Sequence, residues 1–144
     1  MPRRLSDDAI RYLGVFEAIT GVEAVDCLVD DEFDRVVFVV VPGELAEAVG
    51  PGGETVRRLE SRVDRDVSLV EAADDPADFV ANALRPAAVY AVSIDDGVAR
   101  AEVAEGDMGA AIGRDGRTVE LARQLAERHF GLDDVQVTPA KGDV

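Results

Sequence analysis

Apolar residues Ala9, Leu13, Phe16 and Ile19 recur at intervals of three and four along the start of the chain, the spacing of a single helix face. Ser6 fits as the N-cap, and Asp7 and Asp8 fall where the positive end of a helix dipole favours acid. Gly21 ends this helix. Two β-rich runs follow, Val22 to Val29 and Val36 to Val41, separated by the polar cluster Asp30-Asp31-Glu32 that signals a hairpin connection. A short helix, Glu44 to Val49, then meets Gly50-Pro51-Gly52-Gly53, a longer helix runs from Glu54 to about Val63, and Val67 to Val70 closes the set as a strand. The predicted order is α-β-β-α-α-β.

The order then begins again. Pro76 stands where the first residue of a helix tolerates proline, and Phe79, Val80, Ala83 and Leu84 supply an apolar face that lasts to Pro86. Ala88 to Ile94 and Val98 to Val103 read as strands joined through Asp95-Asp96-Gly97, where Asp-Gly is a strong hairpin signal. Asp107 to Ile112 is a short helix broken by Gly113-Arg114-Asp115-Gly116. Thr118 to Phe130 is a longer one ended by Gly131, and Val135 to Val137 is the last strand.

The repeat extends to residue identity. Residues 43–56 align without a gap on residues 106–119, matching Gly43 with Gly106, Ala48 with Ala111, Gly50 with Gly113, Gly53 with Gly116, Thr55 with Thr118 and Val56 with Val119. The expected fold is therefore α+β, with two tandem domains, residues 1–73 and 74–144, each a three-stranded sheet backed by helices. Each half is close to the size at which a lone core is marginal, so the two are expected to pack together as one rigid body.

Composition adds the setting. The chain has 144 residues with 30 acidic and 15 basic ones, a formal charge of −15; Lys141 is the single lysine and the other basic residues are arginine. The acid is spread as pairs, Asp7-Asp8, Asp30-Asp31, Asp74-Asp75, Asp95-Asp96 and Asp133-Asp134, rather than gathered in a tail. Such a skin suits a cytosol filled with salt, where self-repulsion is screened and high charge keeps proteins dispersed. The source reads as a halophile, and stability is expected to rise with KCl. No long apolar run and no signal-peptide pattern appear, so a soluble, cytoplasmic protein with no membrane partner is expected. Cys27, in the alternation Val25, Cys27, Val29, reads as a small buried hydrophobe.

A G-x-x-G turn between two helices lets the backbone approach a sugar-phosphate chain, while the following helix points free N–H groups at phosphate. One such turn is weak evidence; two at the same place in a repeated element order are specific. On these loops, Val49-Gly50-Pro51-Gly52-Gly53 and Ile112-Gly113-Arg114-Asp115-Gly116, the chain resembles tandem KH domains of the type II topology, and most of all the archaeal NusA-like transcription termination or antitermination factors. The resemblance covers nearly the whole chain. It implies a groove beside each loop that holds about four nucleotides of single-stranded RNA. Gly50, Pro51, Gly52, Gly53, Gly113, Arg114, Asp115 and Gly116 would touch the RNA backbone. Val49, Val56, Ile112 and Val119 would help line the groove floor, with Arg57, Arg58, Arg114 and Arg117 as the nearby cations. Two departures stand out: Pro51 removes an N–H and any side-chain charge, and Asp115 puts a carboxylate where phosphate should pass. Because the second loop has Arg114 where the first has Pro51, the second domain is expected to make more phosphate contact than the first.

Catalytic chemistry fares worse. His129 is the single histidine, and its place in the last turn of a helix suits the negative dipole end better than a nucleophilic pair with Cys27. The acidic pairs read as solvated surface rather than metal ligands, and neither loop has the lysine of a phosphate-binding Walker loop. No catalytic residue, metal or cofactor is expected. The resemblance implies a non-enzymatic protein that binds nascent transcripts, with RNA polymerase as a further partner, in elongation, termination or antitermination. Two rival readings are a KH-fold protein-interaction module with weak or no RNA binding, and RNA binding in ribosome assembly or RNA degradation.

Overall fold

The computed structural model describes residues 5–140, and the chain divides into two compact units with the boundary between Ala72 and Ala73. The first unit runs α1 (Asp7–Thr20), β1 (Ala24–Asp30), β2 (Arg35–Val40), α2 (Leu45–Val49), α3 (Glu54–Val63) and β3 (Asp66–Glu71). The second runs α4 (Pro76–Ala83), β4 (Val89–Asp95), β5 (Val98–Val103), α5 (Met108–Ile112), α6 (Arg117–Phe130) and β6 (Asp134–Pro139). Each has one three-stranded sheet with the middle strand antiparallel to the first and parallel to the third, in the orders β1-β2-β3 and β4-β5-β6. A parallel third strand needs a crossover, and the α2–α3 and α5–α6 segments supply it. The expected α+β architecture, three-stranded sheets backed by helices, is what the chain adopts.

Local chemistry sets the ends of these elements. The Ser6 hydroxyl accepts from the Ala9 N–H at 3.0 Å, and Gly21, in the left-handed region at φ 70°, closes α1. Asp75 caps α4 by accepting from the Asp78 N–H at 3.1 Å, with Pro76 in the first helical position. The Asp96-Gly97 turn has positive φ at both residues, 58° and 79°, as a type I′ hairpin requires. The first hairpin turns through four residues instead, and its base is held by a buried ion pair: Arg35 Nε donates to Asp30 Oδ2 at 2.8 Å, while Asp30 Oδ1 accepts from the Glu32 and Phe33 N–H groups. With both partners buried, satisfied lone pairs offset part of their desolvation.

In the first unit the core joins α1, the sheet and α3. Phe16 stacks on Phe38 with centroids 4.5 Å apart, among Val22, Cys27, Val36, Val40, Leu59 and Val63. Cys27 is buried there, as expected, although Val25 of the same alternation is exposed. The second unit packs α4 on α6 and α6 on β6. Phe79 of α4 lies 5.0 Å from the His129 ring and 5.5 Å from Phe130, so the end of α6 is an aromatic contact as well as a place for positive charge. The sheet's inner positions, Ala99, Ala101 and Val103, alternate with exposed Arg100 and Glu102, the pattern of a half-covered strand.

Several boundaries differ from those expected. β3 and β6 extend past their apolar runs to Asp66–Glu71 and Asp134–Pro139, because ladder pairing with β2 and β5 continues through the polar ends. α2 and α5 begin at Leu45 and Met108, and α6 at Arg117, one residue from the expected starts. Each first strand carries a register shift at the same place, between Ala24 and Asp26 in β1 and between Val89 and Ala91 in β4, leaving Val25 and Tyr90 exposed as the extra residues.

Candidate nucleic-acid interface

The two G-x-x-G loops have one backbone. Gly50 and Gly113 end α2 and α5 at φ 78°, ψ 166° and φ 81°, ψ 167°, a region open in practice to glycine alone. Gly52 and Asp115 lie at φ 60°, ψ 19° and φ 56°, ψ 23°. Gly53 and Gly116 lie at φ 77°, ψ 15° and φ 82°, ψ 10°. The hydrogen bonds repeat as well: the first glycine N–H returns to Ala46 or Gly109, and the last donates to the first glycine's carbonyl at 3.0 Å or 3.1 Å. A Cβ on Gly50 would sit 2.9 Å from the Thr55 nitrogen, and one on Gly113 would sit 2.7 Å from that of Thr118. Glycine is required there by close approach as well as by φ, which explains why Gly and Thr recur together.

Past this shared frame the loops diverge in charge. Pro51 and Gly52 are exposed and uncharged, whereas Arg114 and Asp115 are exposed and of opposite sign. At the first residue of the following helix the first unit has Glu54 and the second has Arg117; one turn on, the first has Arg57 and the second Glu120. Arg57 folds back so that Nη1 donates to the Gly52 carbonyl at 2.7 Å. Glu120 turns toward its own helix, where Arg123 and Gln124 reach it at 3.4 Å and 3.5 Å. The start of α3 or α6 carries no side-chain cap, so the free N–H groups at the positive end of each helix are open to an anion at the loop, with Glu54 in the first unit and Asp115 in the second as the acidic side chains beside them.

The four apolar residues assigned to the groove floor fall in different environments. Ile112 is 41% exposed, Val49 and Val56 are half-buried, and Val119 is 6% exposed, which places it in the core beneath α6 rather than at a surface. Arg57, Arg58 and Arg114 are exposed and Arg117 is half-buried. Sequence reasoning placed Arg57 near the loop but missed its bond to Gly52; the signal was there, an arginine four residues after a glycine pair that carries no side chain to block it. Just before α2, at the end away from the loop, the Glu44 carboxyl is pushed above its usual range, because it shares a hydrogen bond with the Glu47 carboxyl and feels its charge.

Among the described residues no group of three or more His, Cys, Asp or Glu side chains is placed to hold a metal ion, and no helix is long and apolar enough to cross a membrane. Cys27 is buried in the first unit, while His129 belongs to the second and lies against Phe79.

Comparison with known proteins matches this geometry to a family. Residues 76–138 fit the family model of the NusA-like second KH domain. A protein of Halococcus morrhuae named probable transcription termination protein NusA is 55% identical over 136 residues, 92% of this chain and 96% of the relative. A protein of the same name from Halobacterium salinarum is 53% identical over 141 residues, 96% of this chain and all of the relative. The crystal structure of APE1850 superposes with a TM-score of 0.81 at 33% identity, covering 93% of this chain and 100% of that one. The acidic composition accords with the halophilic hosts of the first two. On identity sustained along nearly its whole length, the chain belongs to the family of archaeal NusA-like transcription termination proteins.

Proposed function

We propose that the chain is a non-enzymatic, cytoplasmic protein of two tandem type II KH domains that holds single-stranded RNA, the nascent transcript at RNA polymerase, and acts there in elongation, termination or antitermination. The observation that carries this reading is the repeated loop: two units place a glycine-only backbone at the start of an uncapped helix with matching dihedral angles. Each loop offers close approach and N–H groups to a phosphodiester backbone. Gly50 to Gly53 and Gly113 to Gly116 form the contact, Arg57, Arg114 and Arg117 add charge, and Val49, Val56 and Ile112 present apolar surface beside it.

A net charge of −15 opposes long-range attraction to RNA, and a salt-filled cytosol screens what remains. Binding therefore rests on short-range contacts: backbone N–H groups, base edges and apolar surface. The deciding experiment is crosslinking to RNA in concentrated KCl, with bound nucleotides mapped to residues. Crosslinks at both loops support the reading, and crosslinks at neither loop remove it.

A second reading, a KH-fold module that docks on protein, is favoured by Pro51 and Asp115, which withdraw a donor and add a carboxylate at the loops. It predicts RNA affinity indifferent to both residues. RNA binding in ribosome assembly or RNA degradation would keep the loop contacts and change only the transcript that crosslinks.

A further inference from the structure

Arg57 is the exposed cation that the first loop lacks in its own sequence. Its guanidinium reaches back one helical turn and donates to the Gly52 carbonyl at 2.7 Å. It lies 3.1 Å from where a Cβ on Gly53 would stand. The same glycine of the second unit, Gly116, has nothing within 4 Å of that point, so the space in the first loop is filled by arginine. One N–H of five is used by Gly52. Among the described residues no carboxylate pairs with Arg57, a state it shares with Arg58, Arg62, Arg85, Arg100 and Arg114; what sets it apart from these is its bond to the loop carbonyl of Gly52. In the second unit the order of charge is exchanged: Arg114 lies within the loop, Arg117 stands where Glu54 is, and Glu120 occupies the place of Arg57.

We propose that Arg57, anchored on the Gly52 carbonyl, is the phosphate-binding cation of the first loop, so that the first unit grips the RNA backbone from the α3 side while the second grips it through Arg114 within the loop. The proposal rests on the RNA-binding reading above and specifies the part Arg57 plays in it. Anchoring matters energetically: a guanidinium already held by one hydrogen bond loses less rotamer freedom when its remaining N–H groups meet a phosphate. A cation carried by the helix also explains how Pro51, with neither N–H nor charge, is accommodated in a phosphate-binding loop.

The test is a fluorescence-anisotropy titration with a mixed-sequence single-stranded RNA of about 12 nucleotides, long enough for two four-nucleotide sites, at several KCl concentrations at which circular dichroism shows the full chain folded. Arg57→Gln keeps a polar N–H-bearing side chain of shorter reach and removes the charge; Arg57→Lys keeps the charge; Arg114→Gln reports on the other loop. Each phosphate neutralised on a single strand contributes about 0.7 to the slope of log K against log salt. Arg57→Gln is expected to flatten the slope by about 0.7, Arg57→Lys to preserve it, and Arg57→Gln with Arg114→Gln to lose both contributions. A wild-type slope in Arg57→Gln, with or without a fall in affinity, overturns the proposal while leaving RNA binding standing if Arg114→Gln still flattens it. Absence of RNA binding by the wild-type chain removes the RNA-binding reading and this proposal together.

Discussion

At the third position of its loop the first unit has Gly52 at φ 60° and the second has Asp115 at φ 56°, yet the glycines on either side agree within a few degrees. The backbone path is therefore set by the outer glycines and by the threonine against which the first of them packs. The inner pair is left to chemistry. Aspartate is one of the few residues that tolerates the left-handed region, so a carboxylate could enter the second loop without bending it. One frame thus carries two charge patterns: a cation one turn into the helix in the first unit, and cations in the loop and at the helix start in the second.

The strongest challenge to this equivalence is to remove the frame. Gly50→Ala and Gly113→Ala each force a Cβ into a glycine-only region and against a threonine nitrogen, at a cost of about 3 kcal/mol, read as a fall in the urea midpoint in about 2 M KCl. Comparable losses are expected in both units; a loss confined to one would show that the loops are not held alike. Charge comes next. Arg114→Asp should weaken binding to short single-stranded RNA by about tenfold, about 1.4 kcal/mol, and Pro51→Asp by less; equal or inverted effects would break the ranking of the two sites.

A smaller effect separates the units by pH. Burial opposes ionisation of Asp134, but the Val135 N–H and the Arg123 and Gln136 side chains outweigh it and hold the carboxyl below its usual range. A folded value below the unfolded one adds stability above about pH 4 that is lost as pH falls through the folded value. Since both partners of the Arg123 pair are more than a third exposed, the gain is under about 1 kcal/mol. Thermal melts between about pH 5 and pH 2 should fall less steeply for Asp134→Asn than for wild type; identical acid limbs would remove the effect. Smallest is the inner position: Asp115→Gly should stabilise and Gly52→Asp destabilise by about 0.5 kcal/mol, opposite shifts that differential scanning calorimetry resolves. Shifts of the same sign would mean that the two third positions differ in more than backbone strain.

The element order, the Asp96-Gly97 hairpin and both loops were legible because each rests on local signals: periodicity, turn residues and capping. The ends of β3 and β6 were not, since Asp66, Glu71, Thr138 and Pro139 lie outside any apolar run and join their strands only through pairing with β2 and β5. Pro139 is tolerated because β6 is an edge strand. The register shifts that expose Val25 and Tyr90 leave no mark in the alternation of apolar residues, because an extra residue resets which face follows. Val119 shows the limit of carrying a role across a repeat. It aligns with Val56, but Val56 is half-buried while Val119 lies in the core, on a helix of fourteen residues rather than ten that buries five of its side chains.

From the first strand of each unit to the last, length changes in two places: the hairpin tip, and the helix after the loop together with its exit. The four extra residues of α6 add about 6 Å, all at the end remote from the loop. Between these places residues 43–56 and 106–119 correspond without a gap, leaving β2 or β5 and entering α3 or α6 at matching points. The segment keeps its length in both units while only six of its fourteen positions are identical, and the changes of length fall where they do not displace it. In engineering terms it is a transplantable part: grafting one copy over the other makes a chain with two arginine-bearing loops or with none, while the junctions on either side stay unchanged.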